Sequence, residues 1–208
     1  MIKNKKRGYT LAEIAMTVAI VGFISSITVP VLNNVVKHSK DASLFKKVYY
    51  FTIRTVDELA HDDDLYPDND SDAQYLANTS KIKYLGKEYE GDTKFCRLFA
   101  TKVEVASTVN CTTHTFTTGS APTGSFITND GIVWNLPVTS FALNKDIKVD
   151  INGDDAPNCE YSKIGNTVTC PNPDRFTIHV SPKGRVWVDG VKELEYIRNK
   201  AKTKSLIK

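Results

Sequence analysis

Four oxygen-bearing side chains in this 208-residue chain have the types and spacing of a calcium loop: Asp150, Asn152, Asp154 and Asp155. Calcium prefers carboxylate and amide oxygens, which alternate positions of one loop can supply. The helix-loop-helix calcium pattern is not met, because Asp155 stands at its glycine position and no glutamate follows at the twelfth. The alternative is an Asx-rich turn, whose side chains bond to nearby backbone groups. Both interpretations stay open, and calcium is the only cofactor that the sequence suggests.

The chain has four cysteines, which could form disulfides or bind a metal: Cys96, Cys111, Cys159 and Cys170. No pair has the CxxC spacing of zinc and thioredoxin-like sites, so metal or redox chemistry has little support. An even number in an exported chain predicts disulfides, and four cysteines allow three pairings. We prefer the two pairs that are local in sequence, Cys96–Cys111 and Cys159–Cys170. Each would stabilise the fold by about 3 kcal/mol in the chain-entropy model, and four reduced thiols are the alternative.

Catalytic chemistry has little support in the rest of the sequence. The four histidines are scattered, and none lies in a metal or nucleophile motif. The sequence contains neither a phosphate-binding glycine loop nor a GxSxG motif. The net charge of +3 is too small to indicate a nucleic-acid binder, and the short basic C-terminal tail has few aromatic residues for base stacking. We therefore predict a non-enzymatic protein without a nucleic-acid partner.

One carboxylate interrupts the start of a long apolar run near the N-terminus. The stretch KNKKRGYTLAEIAMTVAIVGFISSITVPVL consists of a basic stub, Gly8 and an apolar segment that contains Glu13. Residues 14–36 include no charged side chain, and about 20 such residues span a bilayer as a helix. A basic stub favours the cytoplasmic side, so the rest of the chain should lie outside.

The stretch RGYTLAEIAMTVAIVGFIS resembles the N-terminal processing motif of type IV pilins and of type II secretion pseudopilins. The resemblance implies that a prepilin peptidase cuts after Gly8 and that Tyr9 becomes an N-methylated N-terminus. Tyr9 stands where phenylalanine or methionine is more usual, and it keeps the aromatic character. Glu13 falls at the fifth position of the mature chain, where the family has its glutamate.

Glu13 needs a partner, because a carboxylate near a membrane core costs a few kcal/mol unless it is neutralised or paired. Cleavage after Gly8 would create a cationic α-amino group on Tyr9 at a similar depth. A pair within one helix is one interpretation. A pair between neighbouring subunits is the other, and it would set the axial register during assembly, since a misplaced neighbour leaves a charge unpaired. The family resemblance favours the pair between subunits.

The elements that position these residues begin with one long helix, predicted from about Tyr9 to His61. Its first half is apolar all round and its second half is amphipathic. Gly22 and Pro30 match the helix-loosening glycine and proline of the pilin family, and Pro30 should kink or locally melt the helix. The six aspartates between Asp62 and Asp72 predict a solvated loop after the helix.

Short runs of β-branched and aromatic residues downstream predict strands, with turn signals at 129–131 and 182–184. The six predicted strands cover residues 102–106, 125–128, 132–135, 147–151, 176–180 and 185–188. Short helices are predicted over 73–78, over 93–99 and from Val191. An antiparallel sheet packed on the amphipathic half-helix gives an α+β fold of the pilin-like kind, with the disulfides in its C-terminal region.

The resemblance implies three segments: a leader of residues 1–8, a transmembrane and polymerisation half-helix of residues 9–36, and an exported globular domain of residues 37–208. It implies a structural subunit that assembles through its N-terminal helix into a type II secretion pseudopilus or a type IV pilus-like filament. The implied partners are sibling pilin or pseudopilin subunits, the prepilin peptidase, an assembly platform protein, a motor ATPase and the membrane. The implied location is the inner (cytoplasmic) membrane, crossed once, and then a periplasmic or cell-surface filament.

Two other functions fit the same sequence features. One is a DNA-uptake (competence) pilin, which would share the leader, the glutamate and the fold. The other is a membrane-anchored extracytoplasmic binding domain that never polymerises. The residues alone do not choose among these functions, because all of them need the same anchor and an exported domain.

Overall fold

A computed structural model describes residues 10–67, 75–111, 126–153 and 155–198, with the side chains of residues 27 and 29–38 left out of the description. The chain divides into two compact units, residues 1–40 and 41–208. Residues 11–40 of the first unit are helical, and the second unit contains all of the strands that the structure describes.

Helix α1 runs from Leu11 to Ala60 and confirms the long predicted helix to within one residue of its predicted end. Its backbone is helical through Pro30, so local melting at that residue is wrong, while a kink stays a prediction. Two shorter helices follow, α2 (Lys94–Thr101) and α3 (Val191–Arg198), together with a single 3₁₀ turn, Tyr75–Ala77. All three lie where short helices are predicted.

Nine strands occur in the described ranges: β1 (Ile82–Tyr84), β2 (Lys87–Tyr89), β3 (Phe126–Ile127), β4 (Val133–Asn135), β5 (Lys145–Asp150), β6 (Ser162–Ile164), β7 (Thr167–Thr169), β8 (Arg175–Val180) and β9 (Val186–Trp187). Five of them form one antiparallel sheet in the order β3-β4-β5-β8-β9. The other four form two separate hairpins, β1-β2 and β6-β7. The α+β fold predicted from the sequence is confirmed.

Five of the six predicted strands lie in the five-stranded sheet, and the sixth is wrong. The predicted strand over 102–106 contributes only an isolated bridge between Val105 and Thr128. The two small hairpins were not predicted. Their strands have three residues each, and β6 and β7 are exposed throughout. Alternation of apolar and polar residues marks a strand only when it extends over four to eight residues, so runs of three residues give no clear signal.

The second half of α1 packs on the sheet. The ring of Phe45 lies 4.3 Å, between centroids, from that of Phe176 on β8, and Phe51 meets Trp134 on β4 edge-on at 6.0 Å. The other buried aliphatic residues of this core include Val48, Val56, Leu59, Ile147, Val149 and Ile178. Each such side chain contributes about 1.5–3 kcal/mol of burial free energy, so the amphipathic stripe of α1 is covered as predicted.

The turn at 182–184 brings the chain back against α1. Gly184 has φ +81°, and a Cβ at this position would lie 2.7 Å from the Cβ of Ala60. Its backbone nitrogen donates to the carbonyl of Ser181 at 3.0 Å, which closes the turn. Glycine is thus required both for the left-handed conformation and for the close approach.

The start of the acidic stretch after α1 is anchored, contrary to the predicted solvated loop. Leu65 and Tyr66 are fully buried. The ammonium of Lys94 lies 4.4 Å from the centroid of the Tyr66 ring and donates to the carbonyl of Asn78 at 3.2 Å. Burial lowers the pKa of Lys94 to about 8. Two apolar residues among the aspartates therefore hold the segment onto the core.

Candidate functional site

Glu13 lies in the first turn of α1 and closes a capping box with Thr10. The backbone nitrogen and the hydroxyl of Thr10 donate to Glu13 Oε2 at 2.8 and 2.9 Å. In return, the backbone nitrogen of Glu13 donates to Thr10 Oγ1 at 3.3 Å. These bonds satisfy donors that the first turn of a helix leaves without intrahelical partners. The sequence signal for this capping box is the T-x-x-E pattern of residues 10–13, which the predictions from sequence did not include.

The capping box occupies only one oxygen of the Glu13 carboxylate. Within the described residues, Oε1 accepts no hydrogen bond, so it remains available to a further donor. Gly8 and Tyr9, the predicted cleavage site and the predicted source of an α-amino group, lie outside the described residues. Cleavage and the Glu13 ion pair therefore stay predictions.

The first unit presents large apolar side chains on all sides of its helix. The residues that are at least half exposed are Leu11, Ile14, Met16, Val18, Ile20, Val21, Phe23 and Ile24. The hydroxyls of Thr17, Ser26 and Thr28 donate to helix carbonyls at 2.7–3.0 Å, so these polar groups are satisfied inside the helix. A Cβ at Gly22 would meet nothing within 4 Å. Such a surface calls for an apolar covering.

A membrane span is predicted over residues 9–36. Across the residues that the structure describes, no helix combines the length and the apolar character needed to cross a membrane.

Both predicted disulfides are confirmed. Cys96 on α2 is bonded to Cys111, and Cys159 is bonded to Cys170. The first bond ties α2 to the segment that follows it. The second closes the loop that contains β6 and β7, so it holds the base of that hairpin.

Three of the four predicted calcium residues, Asp150, Asn152 and Asp155, lie close together in the chain at the end of β5 and just after it, but Asp150 already has a cationic partner. Its Oδ2 accepts from Arg175 Nε at 2.9 Å, and the two side chains are 0% and 5% exposed. Asp150 Oδ1 accepts from the backbone nitrogen of Asn152 at 3.3 Å, which is an Asx-turn contact. Asp155 is exposed in the same turn, and Asp154 lies outside the described residues.

These contacts favour the Asx-rich turn over the calcium site. Burial raises the pKa of Asp150 to about 6, although the hydrogen bond from Arg175 opposes the shift. No group of three or more His, Cys, Asp or Glu within the described ranges could hold a metal ion. Calcium binding stays a prediction.

Asp174 is a buried carboxylate that the sequence did not reveal. It accepts from the backbone nitrogens of Asn158 and Cys159 at 2.7 and 2.8 Å. The neighbouring Arg175 donates from Nη2 to Asn158 Oδ1 at 3.2 Å. These bonds fix the entry to the disulfide-closed hairpin. No sequence motif marks them, because the partners are 15 and 16 residues apart.

His179 on β8 is held by two carboxylates. Its Nδ1 lies 2.8 Å from Asp146 Oδ1, and its Nε2 lies 3.0 Å from Asp189 Oδ1. Burial lowers the pKa of His179, but the hydrogen bonds to Asp189 and Asp146 outweigh it and raise the pKa above its ordinary value. The ring also stacks on Trp187 at 5.3 Å. The arrangement ties β5, β8 and the segment after β9 together.

Two curated proteins of Dichelobacter nodosus are similar to this chain. One is a fimbrial protein, 28% identical over 91 residues, which cover 44% of this chain and 57% of that protein. The other is the type IV major fimbrial protein FimA, also 28% identical over 91 residues, which cover 44% of this chain and 56% of FimA. The chain is similar to type IV fimbrial proteins. No family model and no solved structure matches it.

The similarity to type IV fimbrial proteins confirms the resemblance to pilins seen in the N-terminal motif. The chain spans little more than half the length of these curated relatives. The long helix on an antiparallel sheet, with two disulfides, is the predicted pilin-like architecture.

Proposed function

We propose that this chain is a structural subunit of a type IV pilus-like filament, cleaved after Gly8 and assembled through its N-terminal helix. The observation that carries the proposal is the first unit, a helix whose large apolar side chains are exposed on all sides. In a filament, the helices of neighbouring subunits would cover these side chains. The similarity to fimbrial proteins favours this filament over a type II secretion pseudopilus.

Before assembly, we propose that residues 9–36 anchor the chain in the inner membrane, with the second unit outside the cytoplasm. Residues 14–36 carry no charge, and a basic stub precedes them. The two disulfides agree with an oxidising compartment for the second unit. A prepilin peptidase, an assembly platform protein, a motor ATPase and sibling subunits would act on the anchored chain.

Glu13 would guide each subunit into register. The capping box holds its carboxylate at the helix start and leaves Oε1 available. Cleavage would supply an α-amino group on Tyr9 of a neighbouring subunit as the donor. A subunit out of register would leave the carboxylate unpaired among apolar side chains, which costs a few kcal/mol.

Three variants separate the charge of Glu13 from its capping role. Glu13→Ala removes both, Glu13→Gln keeps a capping acceptor without the charge, and Thr10→Ala keeps the charge but removes the hydroxyl's part of the cap. We expect all three to be processed after Gly8. The yield of filaments sheared from cells should collapse for Glu13→Ala and Glu13→Gln and stay substantial for Thr10→Ala. Normal filaments from Glu13→Gln would contradict the ion-pair role, and processed chains that never polymerise would support the anchored binding domain instead.

A further inference from the structure

A groove of about 520 Å³ opens on the surface of the second unit. It lies between α1, the segment after α2, and the turn that joins β3 to β4. Its apolar lining consists of Val48, Phe51, Val103, Ile132 and Trp134. A groove of this volume accommodates several aliphatic side chains, and nothing in the described chain fills it.

The polar rim of the groove carries one acidic group that is not engaged. Asp130 accepts from Lys47 Nζ at 2.8 Å and from the Thr128 hydroxyl at 2.5 Å. Lys102 lies 5.6 Å from the centroid of the Tyr84 ring. The exposed carboxylate of Glu104 makes no hydrogen bond or ion pair with any described residue. The rim therefore offers a negative charge to an incoming cation.

The hairpin β6-β7 projects from the same unit, and residues 162–169 are called the finger here. All eight residues of the finger are exposed, including Ile164 at 79% and Val168 at 41%. A two-stranded hairpin without a packed face is marginally stable by itself. The Cys159–Cys170 disulfide and the bonds to Asp174 hold its base. A hairpin that is fixed at its base and carries exposed apolar side chains is suited to contact another molecule.

The strand register of the finger places apolar side chains on both of its faces. Lys163 pairs with Val168, and Ile164 pairs with Thr167. Since successive side chains point to opposite faces, Ile164 lies on one face of the hairpin, while Val168 and Lys163 lie on the other. Apolar groups on both faces are buried together only between two walls, which a groove provides and a flat surface does not. Lys163 is exposed and has no partner among the described residues.

We propose that the finger of one copy of this chain inserts into the groove of the next copy. Ile164 and Val168 contact the apolar lining, and Lys163 pairs with Glu104. No finger residue lines the groove within one chain, so the contact joins two copies. Because the two surfaces differ, the contact is head-to-tail and repeats along an open assembly. The inference rests on the proposed filament and adds to it a contact between the outer domains.

A photo-crosslinking residue at position 164 of the full chain tests the contact in cells that assemble filaments. We expect cross-links to a second copy, at peptides that contain the groove residues of 47–51, 102–104 or 128–134. The matched control is position 143, where Leu143 is 75% exposed and belongs to neither surface. Cross-links from position 164 to other regions, or none, in intact filaments would overturn the finger contact and leave the filament proposal standing. Absence of filaments from the position-143 control and from the unsubstituted chain would overturn both proposals.

A charge exchange tests the predicted ion pair separately. Lys163→Glu and Glu104→Lys should each lower the yield of the position-164 cross-link about two- to fivefold, as expected for an exposed ion pair. Combining the two substitutions should restore the yield, because the pair is re-formed with its signs reversed. A double variant that stays as low as the single variants would refute the pairing of Lys163 with Glu104. Ile164→Ala should lower filament yield about tenfold or more through lost apolar burial.

Discussion

Arg175→Met should destabilise the second unit by about 3–5 kcal/mol, because it leaves the Asp150 carboxylate buried without its cationic partner. Asp150 is 0% exposed and lies 2.9 Å from Arg175 Nε. The substitution also removes the bond from Arg175 Nη2 to Asn158, worth about 1 kcal/mol. Methionine retains much of the length of the arginine stem, so little of the loss comes from packing. With about 5–15 kcal/mol of total stability in a typical domain, this loss is a large fraction.

The pH dependence of this loss identifies its cause. Burial raises the pKa of Asp150 from 3.8 to about 6 in the folded chain. A carboxyl group with a raised pKa disfavours folding above that pKa, and the penalty is relieved as the pH falls from about 6 towards 4. Removing Arg175 removes a group that lowers this pKa, so the penalty grows. The loss of stability that Arg175→Met causes, relative to the unsubstituted chain, should therefore become smaller as the pH falls from about 8 to about 5.

Urea unfolding of the purified full chain in mild detergent, followed by near-ultraviolet circular dichroism, measures the effect. Asp150→Asn combined with Arg175→Met is the control, since it removes the charge together with its partner, and it should lose less than Arg175→Met alone. A loss below about 1 kcal/mol for Arg175→Met at neutral pH would refute the reasoning. So would a loss that does not change between the two pH values, because a buried charge must respond to protonation.

Three further predictions follow from single sites. Leu85 has φ +48° in the β1-β2 turn before Gly86, so Leu85→Asn should raise the free energy of unfolding by about 1 kcal/mol, measured by thermal denaturation; a lower melting temperature would contradict this. The raised pKa of His179 means that its contribution to stability is complete below its ordinary value of 6.5 and is lost as the pH rises through the folded pKa. His179→Gln should therefore flatten the stability profile in that range, and an unchanged profile would refute the assignment. Because the Asp150 carboxylate is already paired with Arg175, millimolar calcium should leave the melting temperature unchanged. An increase of several degrees would instead support calcium binding at this turn.

The sequence predicted the elements whose residues repeat with a clear period. The stripe that includes Phe45 and Val48 predicted an amphipathic helix, and the runs around Val149 and Ile178 predicted buried strands. Both disulfide pairings could be predicted because the bonded cysteines are close in sequence. Short loops bring such cysteines together without help from the rest of the fold. Local patterns were sufficient for the architecture.

Contacts between distant residues were beyond sequence reasoning. The two carboxylates that hold His179 are 33 and 10 residues away from it. The groove combines α1 with two segments that lie far along the chain, so no local pattern could reveal it. The strands of the finger have three residues each, which is too short for an alternating pattern to mark them. The capping box, in contrast, could be predicted from sequence, because Thr10 and Glu13 form the T-x-x-E pattern that is typical of it.

The N-terminal residue of the chain in sheared filaments tests the central claim most directly. Mass spectrometry of the N-terminal peptide from filaments should find a chain that begins at N-methylated Tyr9. The same measurement on Thr10→Ala filaments should find the same start, because the substitution leaves Gly8 and Tyr9 unchanged. A chain that keeps Met1, or one that begins far downstream near Ser39, would contradict a subunit processed after Gly8 and assembled through its N-terminal helix.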